Sequence, residues 1–249
     1  MLEGKVAVIY GAGGAIGGAV AREGARLFLT GRNPSTFEAL AKETNAAAAE
    51  VDATDERAVE DHLSTLDRVD ISFNAIGLSD PTLLGTPLTD LDLATFTQPI
   101  TTWVSSYFLT ARLAARRMLE HKQGVLMTVT TLHSRTGLPL VGGYGPAMAA
   151  KEALTRELSA ELAPHGIRAV GLRPNAIPEA ATTRAAFIPR AKAMGMSWEQ
   201  FQEVLASRTH PKRLTTLAEV GDTAAFLASD RASGMTGTTV NLTMGCLDD

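Results

Sequence analysis

Compact apolar runs alternate along this chain with longer stretches whose apolar positions recur every three or four residues. The run Lys5-Val-Ala-Val-Ile9 predicts a buried strand, and a glycine-rich turn and a helix follow it. Arg26 to Thr30 predicts a second strand. Asn33-Pro34 then opens a helix, with Asn as cap and Pro at the first position. Ala47 to Val51 predicts a third strand, and Thr54 caps a helix whose first turn is acidic. Further strands are expected at 69–73, 124–131, 167–172 and 239–242, with helices over roughly 103–120, 144–163 and 217–228. Strands separated by helices imply βαβ units. The fold class expected is α/β, a doubly wound parallel sheet of about seven strands with helices on both faces. No linker or tandem repeat divides the chain, so one domain over 1–249 is expected. Its segment 178–212 differs: basic, but carrying Phe187, Met194, Met196, Trp198 and Phe201, it predicts a helical flap over the sheet.

Composition narrows the function classes. With 249 residues, 45% hydrophobic and 20% charged, the chain has the profile of a folded soluble protein. Its 23 basic and 27 acidic residues give a net charge of -4, which offers no footprint for nucleic acid or an acidic membrane. The lone Cys246 excludes a disulfide framework and a cysteine zinc cluster, and no metal site is expected. Glu3 and Lys5 precede the first apolar run, so no secretory leader is expected. The longest uncharged stretch, Leu93 to Ala111, contains Gln98, Pro99 and several hydroxyl residues and is a poor membrane span. A cytoplasmic location is expected.

The first candidate chemistry lies at the glycine turn. Gly11-Ala-Gly-Gly-Ala-Ile-Gly17 directly follows a strand and opens a helix. Glycines let the backbone approach a pyrophosphate, and the helix start supplies N–H donors, so this context predicts dinucleotide binding. An acid about 20 positions after the first glycine would grip the 2′-hydroxyl of NAD. Here Gly31 and Arg32 stand instead. With no carboxylate to repel a 2′-phosphate and a guanidinium to pair with it, NADP(H) is favoured over NAD(H).

These residues, with others in the same order, resemble the short-chain dehydrogenase/reductase family nearly end to end. The glycine segment has Ala15 at the family's middle glycine, while Gly14 gives the spacing of its extended branch. Asp52-Ala53 resembles the adenine-contacting Asp. Asn74-Ala75-Ile76-Gly77 resembles the Asn-Asn-Ala-Gly strand end, and Arg173-Pro174-Asn175 stands where the family has Pro-Gly. Phe226 to Asp230, with Thr236-Gly237, resembles its C-terminal section. The resemblance implies cofactor contacts at Gly11, Gly14, Ile16, Gly17, Arg32, Asp52, Ala53, Asn74, Ala75, Gly77, Pro174 and Ile177. Only seven steps separate Gly17 from Gly24, so the first helix is expected to lack about one turn.

The family's catalysis uses a Tyr, a Lys four residues later, a Ser on the preceding strand and an Asn in the long middle helix. Tyr144 stands at the expected place, with Thr131 thirteen residues earlier in place of Ser. A Thr hydroxyl keeps the donor and acceptor capacity. Aligning Tyr107 to Thr110 with the family puts Thr102 at the Asn position, with Pro99 expected to break the helix just before it. The Lys position holds Met148. Lys151 is the nearest ammonium and shares the Tyr144 helix face, at an axial rise of about 10 Å against about 6 Å for i+4. Unless it folds back, Tyr144 is expected near its ordinary pKa.

Three functions follow. The first is an NADP(H)-dependent reductase converting a carbonyl to an alcohol, with Tyr144 as proton donor. The second is a cofactor-binding sensor or scaffold without turnover. The third is an enoyl-type reductase using Tyr144 and Lys151, although that branch carries a second Tyr where Ser134 stands. His133 reads as a solvent-facing residue at a strand end, with a role as alternative acid left open. Arg184, Arg190, Lys192, Arg208, Lys212 and Arg213 make the flap basic, and a solvated face is the plainer expectation. A small-molecule substrate is expected, with no nucleic acid or membrane partner; the resemblance implies a homodimer or homotetramer.

Overall fold

The computed structural model describes residues 1–21, 24–78 and 84–248, apart from the side chains at 182 and 186. Among them, seven strands form one parallel sheet: β1 (Val6–Tyr10), β2 (Arg26–Gly31), β3 (Ala47–Glu50), β4 (Ile71–Asn74), β5 (Gly124–Val129), β6 (Ile167–Pro174) and β7 (Thr238–Leu242). Their order is β3-β2-β1-β4-β5-β6-β7. Alternation along β1 shows why it is apolar throughout. Ala7 and Ile9 enter one core, with Val20 and Ala224, while Val8 and Tyr10 enter the other, with Val59 and Ala114. A strand buried on both faces has no polar side to spare.

The helices are α1 (Ala15–Val20), α2 (Glu38–Thr44), α3 (Glu56–Ser64), α4 (Leu93–His121), α5 (Tyr144–Leu162), α6 (Ala181–Ala193), α7 (Trp198–Ser207) and α8 (Leu217–Ala228). The expected short first helix is six residues long. The segment read as a flap, 178–212, holds α6 and α7.

Three local expectations are corrected. Asn33 caps a short 3-10 turn over Pro34–Thr36, and α2 begins only at Glu38. Asp55, not Thr54, caps α3, because its carboxylate accepts from the N–H groups of Arg57 and Ala58 while Thr54 is bonded to Asp52. Pro99 does not break the middle helix: α4 runs through it. Near a helix start a proline deprives only one upstream carbonyl, and tertiary packing outweighs that loss. Pro99 is buried where α4 meets the start of α5. Gly143 permits that approach, since a Cβ there would lie 1.9 Å from the Phe96 carbonyl oxygen.

The chain reverses direction across the sheet between β1 and β4, where the doubly wound fold opens a crevice at the strands' C-terminal ends. Gly11, Ala75, Thr131 and Asn175 follow β1, β4, β5 and β6 at that edge.

Candidate active site

Two connected clefts occupy this edge. The outer one has a volume of about 570 Å³ and is lined by Gly11, Gly14, Arg32, Asp52, Ala53 and Gly77. Gly11 adopts φ +80°, and a Cβ there would lie 2.9 Å from the Ala75 carbonyl oxygen, so the tight turn after β1 requires glycine. Asp52 accepts from the backbone N–H and hydroxyl of Thr54. Burial pulls its carboxyl upward, but those hydrogen bonds and the Arg32 charge outweigh it and leave the pKa lowered.

The inner cavity, about 120 Å³, is lined by Gly14, Ile16, Ala75, Gly77, Thr131, Tyr144, Met148, Pro174 and Ile177. Two of the expected cofactor residues support these walls without lining them. Gly17 lets α1 pack on Ala12, and Asn74 is buried, donating to the hydroxyls of Ser106 and Thr110 on α4.

Tyr144 opens α5 and stands edge-on between two rings. Trp103 is 5.0 Å away and His133 5.2 Å away, centroid to centroid. Burial pushes the Tyr144 phenol up to about 12, and a hydrogen bond with Thr131 draws it partly back. This corrects the expectation of an ordinary pKa, because the pocket excludes water as well as charge. Thr131 Oγ1 also bonds His133 Nδ1 at 3.2 Å. His133 is 6% exposed, against the expected solvent-facing position. Burial, with the Arg190 charge, drives its pKa down to about 3, so the imidazole is neutral.

Thr102 borders the outer cleft beside Gln98, and the residue facing Tyr144 is Trp103. One residue along a helix turns the side chain by about 100°, so a register error of one moves the role to another face. The spacing of Tyr107 to Thr110 points to Thr102 and carries no signal for Trp103.

Lys151 is 1% exposed and donates to the Val129 carbonyl at 2.8 Å, beside the Tyr107 ring. It lines neither cleft. It does not fold back toward Tyr144, because its ammonium donates to the Val129 carbonyl instead. Burial lowers its pKa from 10.5 to about 7. The unfolded chain therefore holds this proton more tightly between those values, and the Lys151 contribution to stability rises with pH there by up to about 1.4 kcal/mol per pH unit. Lys151→Met should unfold at higher denaturant than the parent near pH 6, with the gap closing by pH 10; chemical denaturation across that range measures it.

Glu152, the next residue, holds a buried network that spacing did not predict. Its carboxylate accepts from Thr130 at 2.9 Å, from Ser134 at 2.6 Å, and from Arg173 at 2.8 and 2.9 Å. Burial raises its pKa, but these donors, Arg173 first, leave it lowered. The network ties the segment carrying Thr131 and His133 to α5 and β6.

A family model described as enoyl-(acyl carrier protein) reductase matches residues 6–246. The chain belongs to the short-chain dehydrogenase/reductase family. It is accordingly an oxidoreductase. Secoisolariciresinol dehydrogenase of Forsythia intermedia is 30% identical over 95% of this chain and 86% of its own length. The 3-oxoacyl-(acyl-carrier-protein) reductase of Rickettsia conorii is 26% identical over 99% of this chain and 98% of its own. An NAD+-bound xylitol dehydrogenase superposes with a TM-score of 0.88 at 25% identity, covering 98% of this chain and 99% of that one. Among the described residues, no helix is long and apolar enough to cross a membrane.

Proposed function

We propose that this oxidoreductase reduces a carbonyl to an alcohol with NADP(H), Tyr144 giving the proton. The observation that carries the reading is the Tyr144 hydroxyl, bonded to Thr131 in a cavity continuous with the glycine-lined cleft. The cleft fits a dinucleotide: its turn is one that a Cβ at Gly11 would fill, and Arg32 stands exposed at its far end. Gly11, Gly14, Asp52, Ala53 and Gly77 would hold the adenosine half and pyrophosphate; Ile16, Ala75, Pro174 and Ile177 would hold the nicotinamide half.

When bound, the cofactor supplies the hydride. The proton is the protein's contribution. Tyr144 donates it to the substrate oxygen as negative charge develops there. Thr131 shares the phenol's hydrogen bond and positions both oxygens, while Trp103 and Met148 keep water from the pocket. A phenol held near 12 is in its acid form at neutral pH, as reduction requires.

Arg32→Ala should weaken NADPH binding about 10- to 100-fold, the worth of one charge-assisted pair, and NADH binding little. Fluorescence titration with both cofactors measures this, and equal losses would refute the NADP(H) preference. Turnover on ketones, aldehydes and enoyl thioesters tests the reaction. The parent should reduce carbonyls, and Met148→Lys should speed alcohol oxidation at pH 8 by about tenfold or more, because an ammonium about 4–5 Å away stabilises the phenolate. A parent that binds NADPH but stays inert, with turnover only in Met148→Lys, would refute the reading.

The description of the matching family model supports keeping enoyl thioesters in that panel. Lys151 weighs against them, being bonded to Val129 outside the cavity. Phe108 and Leu119 are exposed on α4 and support pairing of chains across α4 and α5, which sedimentation would test.

A further inference from the structure

Of the basic residues in the flap, Arg184, Lys192, Arg208, Lys212 and Arg213 are exposed, as a solvated face requires. Arg190 is the exception. It is 3% exposed, and its Nε and Nη1 are buried with no hydrogen-bond partner. Its guanidinium lies over the Phe201 ring, 5.5 Å from the centroid. Among the described residues, the charge that bears on it is that of Arg208, which repels it. A guanidinium buried without a counter-charge destabilises a fold, and an orphaned buried polar group calls for an explanation. A ligand that completes it is one.

Arg190 stands close to the reacting centre. Phe187, one turn earlier on α6, lines the Tyr144 cavity and packs against His133 and Phe201, at 6.0 Å from each. His133 in turn contacts Tyr144. Three further side-chain nitrogens on residues lining this cavity are buried without partners, His133 Nε2, Trp103 Nε1 and Asn175 Nδ2. Arg190 and Trp103 can only donate, and His133 can donate as the Nε2–H tautomer. The unmet donors lining the cavity, with Arg190 behind its Phe187–His133 wall, call for a ligand rich in acceptors. The positive field of Arg190 and Arg208 calls for a negative one.

We propose that the substrate is a carbonyl compound that also carries an oxyanion, a carboxylate or phosphate, bound by Arg190 at the Phe187–His133 wall while the carbonyl meets Tyr144. This rests on the carbonyl-reductase reading. Arg190 lies behind Phe187 and lines neither cleft, so Phe187 must turn aside for the oxyanion to reach it, and the oxyanion belongs several bonds from the carbonyl. Met148, Trp103 and Phe187 line the space between with apolar surface suited to a short carbon chain.

The test compares matched substrates with NADPH: 4-oxopentanoate against its methyl ester, and dihydroxyacetone phosphate against dihydroxyacetone. The parent should favour the charged member of one pair by about tenfold or more in kcat/KM, as expected for a charge-assisted pair. Arg190→Met should bring that ratio near one, and Arg190→Lys should keep part of it. The pair showing the preference decides between carboxylate and phosphate.

A second arm needs no turnover. Melting is followed with NADPH present, with and without 4-oxopentanoate or inorganic phosphate. A guanidinium kept for a ligand predicts that Arg190→Met melts at or above the parent in anion-free buffer, and that the anion raises the parent alone. A lower melting temperature in Arg190→Met, with no anion effect on the parent, would overturn the proposal and make Arg190 a structural group. If no carbonyl is reduced but the anion still protects the parent and not the variant, the reductase reading fails and the anion site stands.

Discussion

Tyr144→Phe should lower carbonyl reduction by about a thousandfold, the range of a positioned general acid, while NADPH binding and melting temperature stay near those of the parent. The change deletes one oxygen. The ring keeps its edge-on contacts with Trp103 and His133, and Thr131 keeps its bond to His133. The pH dependence sharpens the expectation. With the phenol held near 12, Tyr144 is protonated throughout the neutral range, so reduction should show no alkaline limb from this group below about pH 10. Alcohol oxidation needs the phenolate, and its rate should climb about tenfold per pH unit over the same range. Steady-state kcat/KM in both directions, from pH 6 to about pH 10, tests this. An alkaline limb for reduction near pH 8 would mean that another group sets the acid, or that Tyr144 is ionised more easily than its burial dictates.

Glu152→Ala should destabilise the fold by about 3–5 kcal/mol, the cost of removing one partner from a buried ion pair. Arg173 and Glu152 are both nearly inaccessible, and Thr130 and Ser134 donate to the same carboxylate. Urea unfolding measures the loss, and Glu152→Gln should recover part of it because an amide oxygen can still accept. The sign with pH follows from the lowered pKa. The stabilisation is complete above the unfolded carboxyl's pKa and is lost as pH falls through the lower, folded value. The parent should therefore lose stability on acidification more steeply than Glu152→Ala. Because the network holds the Thr131–His133 segment, the variant should also reduce carbonyls more slowly at pH 7. Equal stability of parent and variant at neutral pH would show that the network contributes nothing net.

The elements that were legible from sequence have strong local signals. The α8 helix begins after Thr216 as expected, because Thr216 and Glu219 form a reciprocal capping box. The α5 helix begins at Tyr144, after Gly143, where a Cβ would meet the Phe96 carbonyl. The missing turn of α1 was countable. Elements with competing local choices were placed less well. Thr54 and Asp55 are both good caps, and the choice fell to Asp55 because Asp52 engages Thr54. Pro99 reads locally as a breaker, yet its ring is packed between helices.

The site divides along the same line. The backbone-shaped parts, Gly11, Gly14, Gly77 and the position of Tyr144, follow from residue type and order, because glycine turns and strand ends are local features. What surrounds Tyr144 is not local. Thr102 and Trp103 differ by one step in sequence and face different clefts. Lys151 shares a helix face with Tyr144 and still turns to Val129, since a buried ammonium goes to the nearest acceptor. His133 and Arg190 look like surface residues in sequence and are buried against aromatic rings. By itself the sequence determined the family, the sheet, the glycine turn and the place of Tyr144 at the start of α5, each set by residue order, periodicity or backbone geometry within a few residues. Only the tertiary structure decided which polar groups lose water beside Tyr144. That depends on elements about fifty residues apart meeting at the C-terminal edge of the sheet, such as the turn after β5 with its Thr131 and α6 with its Arg190, and desolvation is a property of the assembled site rather than of any one residue.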